Sequence, residues 1–376
     1  MPHNSDIAPY SDQDVRRVMD RLVHDADFVD AVGKFRLRAW YPLLRPLAAP
    51  RIRRLLAQHA SRIHSIRDFQ EAIEPALARI LQKTTETFTV SGLDSLDPNQ
   101  AYTFLSNHRD IAMDPAFVNW ALFNGGFETV RIAIGDNLIQ QAYVGDLMRL
   151  NKSFIVKRNV SGPREMLKTY SLLSNYIRMS IDEGHSVWMA HREGRAKDGI
   201  DRTDPAILKM LAMAGKTRDE SFSDALTALH IVPVSISYEF DPCASFKARE
   251  LAITEAEGSY TKRPGEDVKS IATGIMGWKG RVHLHFGHPI ASIPDDPNRL
   301  AEHIDHQIII GQRVFDTGRL AETMLRGEDP ADDLLPDVVT RFQRLVNTTP
   351  SAYRHKLLEI YANPFRQFTL HQEREL

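Results

Sequence analysis

The chain has 376 residues, 43% of them hydrophobic and 26% charged, with a formal net charge of −2. That balance fits one large or two smaller packed domains and excludes a disordered chain. The near-neutral charge carries no nucleic-acid footprint. Cys243 is the only cysteine, which excludes an internal disulfide and a cysteine-rich zinc site.

The first residues, MPHNSDIAPYSDQDV, are polar and lack the charged start and apolar run of a secretory signal. No apolar stretch reaches the roughly 18 to 20 residues needed to cross a bilayer. A cytoplasmic protein is expected, with any membrane contact peripheral on the inner membrane.

Residues 1–85 read as helical and strand-poor, with breaks at Pro42, Pro46 and Pro50. Between Asp30 and Asp68 there is no acidic residue. The same interval carries Lys34, Arg36, Arg38, Arg45, Arg51, Arg53, Arg54, Arg62 and Arg67, interleaved with Trp40, Tyr41 and several leucines. Such a segment either lies on an anionic membrane surface or forms the basic solvated face of a helical bundle.

From Glu86 the pattern alternates strands with helices. TFTVSGLDSL and AYTFLSN read as strands, followed by a helix from Pro115 through Leu122. ETVRIAIGD and KSFIVKR are further strands. The stretch SGPREMLKTYSLLSNYIRMSIDEG has a cap at Ser161 or Gly162, Pro163 in the first turn, an apolar face and a terminating Gly184. HSVWMAHR, LHIVPVSISYE and GRVHLHFGHPI complete the strands, and helical patterning resumes beyond Pro294. The expected fold class is α/β, a central mixed sheet flanked by helices. The expected division is a basic helical segment 1–85, an α/β domain 86–292 and a C-terminal helical region 293–376.

The stretch SNHRDIAMDPAFVNW, Ser106 to Trp120, carries the first chemical signal. His108-Arg109-Asp110 matches a kinase catalytic loop, but the magnesium-binding Asn expected five residues after the aspartate is Pro115. No glycine-rich loop precedes it and no Asp-Phe-Gly follows, so the kinase reading fails.

Five blocks in order instead carry a resemblance. SNHRDIAMDP sits between a strand and a helix. NKSFIVKRNVSGPRE is an apolar strand ending in basic residues. SVWMAHREGRAKDG places Glu-Gly-Arg after a strand, LHIVPVSISYE is an apolar strand with an internal proline, and GRVHLHFGHPI contains Phe-Gly-x-Pro-Ile. Together they resemble the glycerol-3-phosphate and lysophosphatidate acyltransferase superfamily, whose hallmark is His, four residues, then Asp. Here five residues separate His108 from Asp114, and one residue is missing between Glu-Gly and Arg195. The resemblance is to a divergent branch.

The resemblance implies transfer of a fatty acyl group from acyl-CoA or acyl-carrier protein to the hydroxyl of a glycerol-phosphate-type acceptor. No further cofactor and no metal are implied. His108 would take the proton of the attacking alcohol, since histidine ordinarily titrates near neutral pH. A carboxylate on its other ring nitrogen would fix the tautomer. Asp114 holds the family's position; Asp110, two residues from His108, remains the alternative. Asp114 before Pro115 also reads as a plain helix N-cap. Free N–H groups at that helix start would suit a thioester oxyanion. Arg158 and Arg195 are the implied phosphate ligands, with Lys157 and Lys197 beside them. Glu193 would bind acceptor hydroxyls, and Gly194 would let the backbone approach the ligand. His283, His285 and His288 lack the carboxylate or cysteine pattern that would complete a metal site. Two rival readings are a catalytically inactive lipid-binding or regulatory protein, and a metal-dependent phosphohydrolase using Asp110 and Asp114.

Overall fold

The strand–helix alternation expected from Glu86 onwards is present in the computed structural model, which describes residues 7–158 and 160–373. Two units divide the chain: Met1–Arg79 with Arg131–Thr169, and Ile80–Val130 with Tyr170–Leu376. The sequence division at 85 and 292 follows composition, whereas these units follow which side chains pack together.

In the first unit, helices α1 (Asp12–His24), α2 (Ala26–Leu37), α3 (Tyr41–Ala60) and the start of α4 (Ile66–Thr84) enclose Val15, Val18, Leu22, Ile63, Ile66 and Phe69. Gly33 of α2 faces the Tyr41 ring so closely that a Cβ there would lie 2.0 Å from it. That contact lets α2 and α3 pack at short range. The breaks expected at the three prolines do not occur. Pro42 sits in the first turn of α3, and the helix continues through Pro46 and Pro50. Pro46 and Pro50 each remove one helix hydrogen bond, whereas Pro42 removes none because a first-turn N–H has no intrahelical partner; all three lie on the exposed side, where water can satisfy the freed carbonyls. The same unit holds the parallel pair β3 (Arg131–Gly135) and β4 (Ser153–Val156), joined through α6 (Ala142–Leu150). Asp146 of α6 accepts from Arg21 at 2.5 Å and from Tyr10 at 2.8 Å.

The second unit contains a mixed sheet. Strand β1 (Thr87–Ser91) pairs in parallel with β7 (Arg281–Phe286), and β7 runs antiparallel to β6 (Ile231–Tyr238). Strand β6 then pairs in parallel with β2 (Thr103–Ser106), and β2 with β5 (Val187–Ala190). Every residue of β2 is buried, and Phe104 and Leu105 are wholly so. This is the continuous apolar run of a strand covered on both faces. Helix α5 (Met113–Asn124) follows β2, and α7 (Pro163–Asp182) precedes β5.

The C-terminal helices are part of this unit. Phe342, Leu357 and Tyr361 share a core with Leu320 and with Ala244 and Ala248 of the helix Ala244–Glu257. The position of the loops after β2, β5 and β6 at the carboxyl ends of parallel strands marks the usual place for a ligand in such a sheet.

Candidate active site

His108 lies just beyond β2, in the connection to α5. Its Nδ1 is hydrogen-bonded to Asp114 Oδ2 at 2.7 Å. The side chain of His108 is 14% exposed and that of Asp114 is fully buried. Among the described residues nothing engages His108 Nε2, and the ring stands edge-on to Trp188 of β5 at 5.7 Å.

The extra residue between His108 and Asp114 is absorbed by how the loop folds. Helix α5 begins at Met113, two residues earlier than expected, so Asp114 lies in its first turn. From there its Oδ2 reaches back and accepts from the backbone N–H groups of Arg109 (2.6 Å) and Asp110 (3.0 Å) as well as from His108. Its Oδ1 accepts from the Tyr238 hydroxyl at 2.7 Å. Burial by itself would raise this carboxyl, but the hydrogen bonds and charge of His108, the Tyr238 hydroxyl and the backbone hold it below the usual range.

The capping role belongs to Asp110, not to Asp114. Asp110 Oδ1 accepts from the N–H groups of Ala112 (3.0 Å) and Met113 (2.8 Å), closing the turn that enters α5. Its other oxygen faces Gly274, where a Cβ would lie 1.9 Å from Oδ2. Burial, and then the neighbouring Asp114 charge, push the Asp110 carboxyl up. The alternative pairing of His108 with Asp110 is therefore not the one present. The N–H groups of residues 109, 110, 112 and 113 are all taken by these two carboxylates. They are not available to an oxyanion, which leaves that expectation to the remaining N–H groups at the helix start.

Several residues unremarked in the sequence fix this loop. Asn107 accepts from Ile236 N at 2.8 Å and donates to Asp201 Oδ2 at 3.0 Å. Arg109 pairs with Asp201 at 2.6 Å, and Gln312 donates to the same carboxylate oxygen. Buried Lys247 donates to the Arg109 carbonyl at 2.7 Å and to Asp241 at 2.5 Å. Backbone bonds join the loop to the third block, with Ala196 N donating to the His108 carbonyl at 2.8 Å. Tyr238 lies within LHIVPVSISYE, and only the fold brings its hydroxyl to Asp114.

The binding candidates fall in two groups. Glu193, Gly194, Arg195 and Lys197 follow β5, in the same unit as His108. Glu193 is exposed, and Arg195 donates to Ser270 Oγ at 2.9 Å. Lys197 is tied to Glu250, so its charge is already matched within the protein. Gly194 has φ +75°, and a Cβ there would meet nothing within 4 Å. Glycine thus serves the left-handed backbone rather than a close approach. Lys157 and Arg158 follow β4 in the other unit, both exposed. The Arg158 guanidinium lies against Gly135, and the backbone N–H of Arg158 donates to Asp136 Oδ1 at 3.3 Å.

His283 and His285 on β7 are hydrogen-bonded to Thr89 and Ser91 of β1, and burial lowers both, His283 to about 4. Among the described residues no group of three or more histidine, cysteine, aspartate or glutamate side chains is placed to hold a metal ion.

Residues 87–237 match the family described as Acyltransferase. Dihydroxyacetone phosphate acyltransferase of Bos taurus is 21% identical over 237 residues, covering 62% of this chain and 33% of the bovine protein. The Homo sapiens protein of the same name is 22% identical over 190 residues, covering 50% of this chain and 26% of its own. The chain thus spans a third or less of these curated relatives. Among solved structures, the 1-acyl-sn-glycerophosphate (LPA) acyltransferase of Thermotoga maritima is 14% identical with a TM-score of 0.33, over 64% of this chain and 80% of that one.

Proposed function

We propose that this chain, whose residues 87–237 match the family described as Acyltransferase, is a glycerolipid acyltransferase that moves a fatty acyl group from a thioester to the hydroxyl of a phosphate-bearing acceptor. The donor is acyl-CoA or acyl-carrier protein. The acceptor is a glycerol-phosphate-type molecule, with dihydroxyacetone phosphate added to the candidates by the names of the relatives.

The observation that carries the reading is the 2.7 Å contact between His108 Nδ1 and Asp114, with Nε2 left unengaged. In the proposed step, Nε2 takes the proton of the acceptor hydroxyl as its oxygen bonds to the thioester carbon. Asp114 stabilises the imidazolium and fixes the tautomer. The tetrahedral intermediate collapses with cleavage of the carbon–sulfur bond, and the departing thiolate recovers that proton from Nε2. The acceptor oxygen is the nucleophile, so no acyl-enzyme is required. Arg195, partly exposed in the same unit as His108, is the proposed phosphate ligand, and Glu193 the hydroxyl ligand.

A peripheral position on an anionic membrane surface is part of the proposal. Phe35, Trp40, Leu43 and Leu47 are each at least 64% exposed along α2, α3 and the turn between them. They lie among Lys34, Arg36, Arg51, Arg53 and Arg54, a composition suited to an anionic interface. Among the described residues no helix is long and apolar enough to cross a membrane.

The phosphohydrolase reading loses support, because Asp110 and Asp114 direct their oxygens to backbone N–H groups, His108 and Tyr238 rather than to a shared opening. The test is thiol release from long-chain acyl-CoA and acyl-carrier protein with a panel of acceptors, comparing wild type with His108→Ala. Release that requires one acceptor and disappears in the variant supports the proposal. Release without an acceptor indicates a thioesterase. Vesicle binding without turnover on either donor indicates the lipid-binding rival.

A further inference from the structure

The first unit contains an open cavity of about 290 Å³ that the acyl-transfer reading does not use. All its lining residues belong to that unit. Its volume is at the small end of ligand pockets, which run from roughly 300 Å³. The cavity opens to solvent, so its apolar lining is within reach of a ligand.

The lining has a simple chemistry. Phe28, Val32 and Arg36 line it at four-residue intervals along α2, opposite Leu56 and His59 of α3. Phe28 and Arg36 lie eight positions apart on α2, about 12 Å along the helix axis. Every lining residue other than Arg36 and His59 is apolar, and none is acidic. Arg36 is exposed and has no hydrogen-bond or ion-pair partner among the described residues. His59 Nδ1 donates to the Leu55 carbonyl at 2.8 Å, leaving Nε2 open.

We infer that this cavity binds a single-chain anionic amphiphile, its alkyl chain along the apolar lining and its anionic head at Arg36. Burying the chain removes apolar surface from water, and an unpaired guanidinium at one end selects a carboxylate or phosphate head over a neutral one. The site is independent of His108 and of the acyl-transfer reading. A fatty acid and a lysophosphatidate share the required chemistry, so both are probes.

The experiment uses the full chain carrying His108→Ala, with no thioester donor, and the Arg36→Glu and Val32→Trp variants separate binding in this cavity from binding at the acyl-transfer site. A fluorescent long-chain fatty acid is titrated below its micellar concentration. It is then displaced by palmitate, by palmitoyl lysophosphatidate and by zwitterionic palmitoyl lysophosphatidylcholine. A saturable component that depends on Arg36 and Val32 is expected, with either anion displacing the probe and the stronger one identifying the head group. Arg36→Glu should weaken binding at least about tenfold, equivalent to about 1.4 kcal/mol. Val32→Trp, which fills the cavity, should abolish it. If Val32→Trp does not fold, the exposed Arg36→Glu carries the test. The inference is overturned if no saturable binding occurs or if the zwitterion competes as well as the anions. It also fails if Arg36→Glu binds like its parent, or if the amphiphiles associate only as micelles or vesicles.

Discussion

Tyr238, the last residue of β6, donates its hydroxyl to Asp114 Oδ1 at 2.7 Å across 124 positions of sequence. The carboxylate that faces His108 is thereby held from two sides, by the loop that carries the histidine and by a strand next to β2. Its orientation is set before any substrate binds. Replacing Tyr238 with phenylalanine keeps the ring and leaves Oδ1 buried without a partner, which should cost about 1–3 kcal/mol of stability. Acyl transfer should fall while the protein stays folded. Denaturant unfolding and steady-state kinetics on the same preparation check both parts.

The two nearby aspartates should separate cleanly under the same substitution. Asp114→Asn removes the charge that supports the His108 imidazolium and should lower turnover by roughly 10²–10⁴-fold. Asp110→Asn keeps the oxygen that accepts from Ala112 and Met113, and should leave turnover near wild type. The signs of their pH effects also differ. The Asp114 carboxyl is held below the usual range, so its ionised form contributes stability above the unfolded-state carboxylate pKa, and that contribution is lost as pH falls through the folded value. The Asp110 carboxyl is raised, so its contribution is present at low pH and is lost as pH rises through its folded value. Unfolding free energies measured from pH 3 to pH 7 should show the two variants diverging from wild type at opposite ends.

Gly274, in the helix Glu266–Met276, admits the Asp110 carboxylate against its Cα. A methyl group there would lie 1.9 Å from Asp110 Oδ2, and that oxygen is held by a side chain already bonded to two backbone groups. Gly274→Ala should therefore destabilise the protein by about 1–3 kcal/mol or more, despite the better helix propensity of alanine. It should also reduce activity by shifting the turn that carries His108. The double variant Gly274→Ala with Asp110→Ala should recover part of the stability, which a melting curve would show.

His191, at the end of β5, is fully buried, and burial lowers it from 6.5 to about 3. Between those values the unfolded chain binds a proton that the folded chain does not. This histidine therefore makes stability decline as pH falls below 6.5, by at most about 1.4 kcal/mol per pH unit. In His191→Gln that component should vanish. The difference in unfolding free energy between wild type and variant should shift in the variant's favour from pH 6.5 towards pH 4. A constant difference over that range would contradict the assignment.

The sequence by itself indicated the strands and the helix after SNHRDIAMDP, because these rest on local periodicity; the histidine and its two candidate aspartates were legible through the resemblance carried by the five blocks. It also indicated the basic, leucine-bearing helices near the N-terminus. Tertiary structure decided which aspartate meets His108. That outcome depends on where α5 starts, and the start is set by Asp110 capping the turn and by Gly274 leaving room for it, 164 positions away in the numbering. The continuity of α3 through Pro46 and Pro50 likewise followed from those prolines lying on the exposed side. Tyr238, Asn107, Asp201 and Lys247 acquire their roles only when separated strands and helices converge on one loop. Hydrogen bonds between distant residues leave no periodic trace in the chain, whereas the burial of a strand or helix face does.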